Sequence, residues 1–191
     1  MNGSKMPSVE QLEEALHAKR RAGSYSRALR STLYSLLVVA AAAILVATLV
    51  MPILHVSGSS MTPVISDGDI VAVLRGSGFE RGDVIAFYYN NKVLVKRVVA
   101  FGGEVVDIDS RGNIYVNNEL LDEPYLTERD MGNCDIRLPY QVPDGKYFVL
   151  GDHRSTSQDS RSVIIGPVAQ EQILGRLVFR IWPPGKAGLI D

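Results

Sequence analysis

The sequence contains one cysteine and three histidines, and this scarcity excludes several kinds of site. With Cys134 alone, neither an internal disulfide nor a metal site built from several cysteines is possible. His17, His55 and His153 lie far apart and have no metal-ligand spacing, so a structural or catalytic zinc is not expected. We therefore expect no metal and no cofactor.

Net charge is also low, at −1 at pH 7. No overall field attracts such a chain to nucleic acid or to an acidic partner, so no nucleic-acid partner is expected. The length of 191 residues indicates one ordinary domain plus an appendage.

One segment, residues 33–54, has no charged residue and reads LYSLLVVAAAAILVATLVMPIL. As a helix, these residues span about 33 Å, which is enough to cross a hydrocarbon core about 30 Å thick. A buried core helix is the alternative, but such a helix normally has a polar face. The segment is therefore predicted to be a transmembrane anchor.

Basic residues are distributed unevenly around this segment. Five precede it within a short distance, and the first basic residue after it is Arg75; the five are Lys19, Arg20, Arg21, Arg27 and Arg30. The positive-inside bias predicts a cytoplasmic N-terminus and an outer location for residues 55–191 at the cell membrane. A cleaved signal peptide is disfavoured, because its apolar core is shorter and ends in a small-x-small site.

The N-terminal segment, residues 1–32, is predicted to be cytoplasmic and to contain a short amphipathic helix over residues 8–22. Ser8 and Gln11 have the spacing of a capping box, and apolar residues follow at helical intervals. A basic helix at this face is suited to contact with the anionic headgroups of the lipid bilayer.

Beyond residue 54 the apolar residues follow the pattern of short strands. The predicted strands are rich in Val, Ile, Phe and Tyr and are separated by turn signals such as SDGD and FGG; they cover residues 70–74, 83–89, 92–101, 104–108, 113–116, 146–150 and 176–181. No helical pattern of ten or more residues lies between them. Residues 55–191 are therefore predicted to form a mostly β domain, an antiparallel barrel or sandwich.

Lys96 is a candidate general base. In VLVKRVV, the two-residue period of a strand places Leu94, Lys96 and Val98 on one face. Burial between aliphatic neighbours lowers the pKa of a lysine, and a neutral amine accepts a proton. The alternative is a charge that protects an edge strand or forms a salt bridge.

Ser57, Ser59 and Ser60 lie in a glycine-bearing turn, where a base can activate a hydroxyl as a nucleophile. On composition alone, these serines equally fit a turn that leaves the bilayer. A later stretch, GDHRSTSQDSR at residues 151–161, suits either a hydrogen-bonded support for a site or a solvated loop. Its neighbours Asp152 and His153 point in different directions on a strand or turn, which disfavours a histidine relay.

Taken together, these stretches resemble the bacterial type I signal peptidases, in the compact form typical of Gram-positive members. Four boxes occur in the order found in that family, after an N-terminal anchor of the same polarity: GSSMTP (58–63), RGDVIAF (81–87), KRVVAFGGE (96–104) and GDHRSTSQDSR (151–161). The resemblance implies a barrel-like peptidase domain with the fold shared by signal peptidases and LexA-like proteases. It also implies a membrane-anchored serine endopeptidase that removes signal peptides from secretory pre-proteins after a small-x-small site.

The resemblance also implies roles for individual residues. Ser60, directly before Met61, corresponds to the nucleophile, and Lys96 corresponds to the general base. In the last box, Ser157 corresponds to the serine that orients the lysine amine, and Asp159 and Arg161 correspond to the residues that brace the site.

Three positions depart from the pattern of some or most members. Gly58 replaces a serine that supplies a second oxyanion donor in some members, which leaves the Ser60 backbone N–H as the main donor. His153 and Ser155 stand where asparagine and aspartate are usual.

Two other functions are compatible with parts of the sequence. A LexA-like Ser-Lys autoprotease needs a cleavage site in its own chain and usually a nucleic-acid-binding domain, for which residues 1–32 are too short. A non-enzymatic anchored domain that binds a partner outside the cell needs neither Ser60 nor Lys96. Substitution of Ser60 and Lys96 therefore distinguishes the two functions, because only a peptidase loses its activity.

Overall fold

The computed structural model describes residues 8–190, apart from the side chains of residues 11, 12 and 14–28. The chain divides into two compact units between Ala47 and Thr48. The first contains most of a single helix, α1 (Val9–Val50), of 42 residues. The short helix predicted over residues 8–22 is the first part of α1 and not a separate element. Its predicted capping box and apolar face lie outside the described side chains.

The apolar part of α1 covers Leu29–Val50, with a mean hydropathy of 2.6, and is long and apolar enough to cross a membrane. Its bounds differ from the predicted anchor at residues 33–54. The helix ends at Val50 because Pro52 has no backbone N–H and disfavours a helical conformation at Met51. Residues Ile53–His55, predicted as anchor or the start of the domain, form strand β1 instead.

Eleven further strands follow among the described residues of the second unit. They are β2 (Ile70–Leu74), β3 (Val84–Tyr89), β4 (Lys92–Phe101), β5 (Val105–Ile108), β6 (Ile114–Val116), β7 (Glu119–Leu120), β8 (Tyr140–Gln141), β9 (Lys146–Leu150), β10 (Val168–Ala169), β11 (Ile173–Trp182) and β12 (Gly188–Leu189). Short 3₁₀ turns at Gln170–Gln172 and Pro184–Lys186 flank β11.

The strands form two sheets in which every described pairing is antiparallel. The larger has the order β1-β2-β11-β3-β4-β9-β10, with β12 also paired to β11, and the smaller has the order β7-β6-β5-β8. This confirms the predicted mostly β, antiparallel class. Within residues 8–190, however, the outer strands β1 and β10 are not paired with each other, so the larger sheet is open and not a closed barrel.

Strand β4 lies between β3 and β9, and its two edges are paired over different lengths. Its first half, from Lys92 to Arg97, pairs with β3, whereas its pairing with β9 begins at Arg97. The edge of β4 at Val93–Lys96 therefore has no strand partner on the β9 side among the described residues. This leaves backbone N–H and C=O groups beside Lys96 for another extended chain.

The apolar core fixes the turn that carries the candidate serines. Met61 and Ile65 are 2% and 0% exposed and pack in one cluster with Val71 and Val73 of β2. The residue that follows Ser60 is therefore an anchor in the core. Burying a methionine side chain of this kind contributes roughly 1.5–3 kcal/mol, so the turn is held firmly against the sheet.

Candidate active site

Ser60 and Lys96 meet at the end of the turn after β1. Lys96 Nζ lies 2.7 Å from Ser60 Oγ, and it also donates to the Val95 carbonyl oxygen at 3.0 Å. The turn itself is closed by Thr62, whose N–H and hydroxyl both donate to the Ser59 carbonyl oxygen. Ser57 and Ser59 are exposed and Ser60 is half-buried. Of the three serines, Ser60 is the one within hydrogen-bond distance of the lysine amine.

Lys96 is buried, with 4% of its surface exposed. Burial lowers the pKa of its amine to about 8, against opposing effects of the Asp159 and Asp152 carboxylates, while Arg161 lowers it further. At neutral pH a fraction of the amine, on the order of one tenth, is therefore unprotonated. An unprotonated amine 2.7 Å from a hydroxyl can remove its proton.

A cavity of about 100 Å³ lies beside the pair. One wall is the chain from Leu54 to Gly58, and the other is Val93–Lys96 on the free edge of β4. Ser60 and Met61 also line it. The cavity therefore lies between two extended segments, with apolar side chains near the serine hydroxyl, an arrangement that suits an extended peptide.

Asp159 and Arg161 form a buried ion pair in the loop at residues 151–161. Arg161 Nε and Nη2 each donate to an Asp159 carboxylate oxygen at 2.8 Å, and both side chains are 1% exposed. Asp159 also accepts from the Gly151 N–H at 3.0 Å, and Arg161 Nη1 donates to the Met131 carbonyl oxygen at 2.6 Å. The pair thus holds both ends of the loop and contributes opposite charges to the field at Lys96.

Ser157 is 5% exposed, and its Oγ has no hydrogen-bond partner among the described residues. It packs so closely on Gly151 that a side chain there would overlap both Ser157 Oγ and the Ser60 carbonyl oxygen. Ser157 is thus beside the pair without a hydrogen bond to Lys96. A buried hydroxyl with no partner costs roughly 1–3 kcal/mol, so the Ser157 hydroxyl does not stabilise this loop.

Gly58 has a backbone φ of 100°, and its N–H donates to Asp67 Oδ1 at 2.8 Å. A residue with a side chain is strained at this φ. The backbone geometry of this turn therefore favours glycine at position 58.

His153 contributes its backbone to the site and not its ring. The His153 N–H donates to the Ser60 carbonyl oxygen at 3.0 Å, and ring atom Nδ1 lies 3.0 Å from Thr156 Oγ1. Both Asp152 carboxylate oxygens accept from Arg97. The structure therefore does not assemble Asp152 and His153 as a relay. Ser155 is exposed, on the outside of the same loop.

Sequence reasoning missed a second set of buried charges behind the pair. Arg97 is bound to Asp152, and Arg154 is bound to Glu123. Tyr125 lies against both pairs, with its ring under the Arg97 guanidinium. The sequence offers no periodic signal for these contacts, because they join residues 31 and 55 positions apart.

This chain is similar in sequence to proteins of one family. The family model described as "Signal peptidase, peptidase S26" matches residues 29–182. Signal peptidase IB of Staphylococcus aureus is 36% identical over 149 residues, which cover 67% of this chain and 76% of that protein. Probable signal peptidase I-2 of Synechocystis sp. is 32% identical over 160 residues, which cover 78% of this chain and 71% of that protein.

A solved structure is also similar. The crystal structure of a signal peptidase I from Enterococcus faecalis is 31% identical, with a TM-score of 0.46, and the match covers 53% of this chain and 97% of that one. The residues matched by the family model include Ser60, Lys96 and the whole loop at residues 151–161.

Proposed function

Because this chain belongs to the signal peptidase family, peptidase S26, we propose that it removes signal peptides from exported pre-proteins with Ser60 as nucleophile and Lys96 as general base. The observation that carries the residue assignment is the 2.7 Å approach of a buried lysine amine to the Ser60 hydroxyl. The enzyme is a serine endopeptidase of the signal peptidase I type.

The first half of the reaction acylates the enzyme. Neutral Lys96 accepts the proton of Ser60, and Oγ attacks the scissile carbonyl carbon to form a tetrahedral intermediate. The Ser60 backbone N–H, in the turn after Gly58, supplies the main donor to the oxyanion. When the intermediate collapses, the C–N bond breaks and protonated Lys96 delivers its proton to the leaving amine.

The second half releases the signal peptide. Lys96, neutral again, accepts a proton from water as the water attacks the acyl-ester carbon, and Ser60 Oγ leaves with that proton. Burial of Lys96 serves both halves, because an exposed lysine with a pKa near 10.4 is almost fully protonated at neutral pH.

The substrate binds as an extended strand in the cavity beside the pair. Backbone groups of Val93–Lys96 on the free edge of β4 offer strand pairing to the residues before the scissile bond. The cavity of about 100 Å³ next to Ser60 is lined partly by apolar side chains, which suits the small apolar residues of a small-x-small sequence.

Membrane attachment is through the apolar part of α1, and we propose that the N-terminus is cytoplasmic and the β-rich unit is on the outer face. The positive residues before α1's apolar part support this orientation. Cys134, the only cysteine in the sequence, provides a test because it is partly exposed. A membrane-impermeant maleimide should label Cys134 in intact cells.

A matched variant controls this labelling. In Cys134→Ser combined with Ser8→Cys, the thiol is on the opposite side, so labelling should require permeabilised cells. If intact cells label this variant but not the wild type, the orientation is opposite to the one proposed.

The reaction is tested by cleavage of a secretory precursor in detergent. Ser60→Ala and Lys96→Ala should each abolish processing, whereas Ser59→Ala, one residue from the nucleophile and exposed, should retain it. Processing that survives both substitutions at Ser60 and Lys96 contradicts the assignment and favours a non-enzymatic binding domain. Cleavage of this chain itself, with the precursor untouched, would favour an autoprotease.

A further inference from the structure

The segment from Glu123 to Leu126 is a short turn whose Glu123 side chain is buried and whose Tyr125 side chain is half-buried, against the arginine that follows Lys96. The Leu126 N–H donates to the Glu123 carbonyl oxygen at 3.2 Å, which closes the turn. Glu123 is 3% exposed, and its Oε1 accepts a hydrogen bond from the Tyr125 hydroxyl at 2.9 Å. Burial, together with the charge of Glu123, raises the pKa of the Tyr125 phenol, so this hydroxyl remains a donor throughout the working pH range.

This turn contacts two buried arginines from different parts of the chain. The guanidinium carbon of Arg97, on β4, lies 3.9 Å from the centre of the Tyr125 ring. Arg154, in the loop at residues 151–161, forms an ion pair with Glu123 in which both side chains are 1% exposed or less. One short turn therefore joins the strand that carries Lys96 to the loop that carries Ser157 and Asp159.

Each arginine in turn binds the loop beside Ser60, Arg97 through the Asp152 carboxylate and Arg154 through the Gly151 carbonyl oxygen. Arg97 follows Lys96 in β4, and its Nε and Nη2 donate to the two Asp152 carboxylate oxygens at 2.9 and 2.8 Å. Arg154 Nε donates to the Gly151 carbonyl oxygen at 3.0 Å. His153, which lies between Asp152 and Arg154, donates its N–H to the Ser60 carbonyl oxygen. The backbone at residues 151–154 is thus fixed on one side to the arginines and on the other to the nucleophile.

We propose that Tyr125 and Glu123 are positioning residues for the Ser60–Lys96 pair, because together they fix Arg97 and Arg154 and through them the backbone at residues 151–154. This inference rests on the proposed function, since it concerns the same pair. Neither residue touches the reacting atoms. Their effect is on the distance between Lys96 Nζ and Ser60 Oγ and on the electrostatic environment of the amine.

The groups that act on Lys96 determine in which direction its pKa should change when the Tyr125 ring is lost. Asp159 and Asp152 raise the pKa of Lys96 and Arg161 lowers it, while burial has the largest effect and lowers it. Without the Tyr125 ring, the Arg97–Asp152 pair loses its cover and admits water. Hydration of Lys96 and weaker neutralisation of Asp152 both raise the pKa of Lys96. The acid limb of the pH–activity profile, which is the range over which activity falls as Lys96 becomes protonated, therefore moves to higher pH.

Three substitutions test the proposal by the pH dependence of precursor cleavage. Tyr125→Leu keeps apolar bulk but has no aromatic face, and it should lower kcat about tenfold and move the acid limb up by about half a pH unit. Tyr125→Phe keeps the ring over Arg97 and should restore most of kcat and the wild-type acid limb. Glu123→Gln leaves Arg154 without its counter-charge; it should also lower kcat, but the added net positive charge should move the acid limb to lower pH.

Tyr140→Leu is the matched control for loss of a tyrosine ring. Tyr140 is partly buried and packs on Phe148, with ring centres 5.9 Å apart, in the core cluster that includes Val106 and Leu150. It should lower the melting temperature without moving the acid limb.

The outcomes separate this inference from the proposed function. If Tyr125→Leu and Glu123→Gln lower stability as Tyr140→Leu does, with an unchanged acid limb, the positioning role is wrong and the catalytic assignment stands. If Tyr125→Leu does not fold, an unshifted acid limb in Glu123→Gln overturns the proposal on its own. If cleavage survives both Ser60→Ala and Lys96→Ala, the proposed function itself fails.

Discussion

Lys96 Nζ lies 2.7 Å from Ser60 Oγ, although the two residues are 36 positions apart in the sequence. Two independent features bring them together. The core packing of Met61 fixes the serine turn, and the pairing of β4 with β3 fixes the lysine. A base and a nucleophile held by separate elements lose little conformational freedom when the substrate binds, which favours catalysis.

The acid limb of the activity profile should report the protonation of Lys96. Because the pKa of this amine is about 8, the neutral form decreases as the pH falls, and kcat/KM should drop about tenfold for each pH unit below 8. Cleavage of a precursor measured from pH 5 to 10 checks this. His153→Asn should leave the limb in place. A profile that is flat between pH 6 and 8, or a limb that disappears with His153→Asn, contradicts the lysine mechanism.

Ser157→Ala should separate activity from stability. The buried Ser157 Oγ has no partner, so its removal should leave the melting temperature unchanged or slightly higher. If the hydroxyl orients the Lys96 amine during the reaction, kcat should nevertheless fall by about tenfold or more, the equivalent of one hydrogen bond to a charged group.

Thermal unfolding and precursor cleavage of the same Ser157→Ala preparation test both parts. Ser155→Ala, at an exposed position of the same loop, is the control and should change neither quantity. Full activity of Ser157→Ala would leave this serine without a catalytic role.

The strands were largely predictable from the sequence, but the limits of the anchor were not. Ile70–Leu74 and Lys146–Leu150 match their predictions, because each is an apolar run bounded by turn residues. Residues 51–54 continue the apolar run of the helix, and hydrophobicity alone does not separate a membrane span from the edge strand that follows it. Pro52 was the local signal for that boundary. The two-residue strands are fixed by pairing and have no sequence pattern of their own.

The candidate site shows the same division between local and long-range information. Lys96 could be named as a candidate base from its position between Leu94 and Val98, although the same pattern also fits a charge on an edge strand or a salt bridge. The choice of Ser60 among three serines came from the resemblance to a family. The structure adds the 2.7 Å distance between the Ser60 hydroxyl and the Lys96 amine. The Arg97–Asp152 pair and the ring of Tyr125 depend on contacts between distant segments, and no periodicity in one segment reveals its partner.

Asp159→Asn should move the acid limb in the direction opposite to Tyr125→Leu. The Asp159 carboxylate raises the pKa of Lys96 and its partner Arg161 lowers it. Removal of the negative charge therefore lowers the pKa of Lys96, and the limb should move to lower pH. Breaking a buried ion pair also costs about 3–5 kcal/mol of the free energy of unfolding, so the melting temperature should fall.

The control for Asp159→Asn is Asp83→Asn. Asp83 pairs with Arg176 in a half-exposed ion pair, which contributes about 0–1 kcal/mol. This substitution should change neither the acid limb nor, by much, the melting temperature. A limb that moves to higher pH in Asp159→Asn would contradict the assigned electrostatic effect.

Gly151→Ala should inactivate the enzyme by a steric effect at the nucleophile. A methyl group at this position would overlap Ser157 Oγ and lie 2.6 Å from the Ser60 carbonyl oxygen, which is closer than any ordinary contact. Either the loop or the serine turn must move, and a displacement of about 1 Å at a reacting group lowers kcat on the order of a hundredfold.

Gly78→Ala is the control, because its added methyl group meets no atom within 4 Å. The measurement is kcat for precursor cleavage together with a crystal structure of the variant, in which the distance from Lys96 Nζ to Ser60 Oγ should exceed 2.7 Å. An active Gly151→Ala enzyme with an unchanged distance would show that the loop yields without disturbing Ser60.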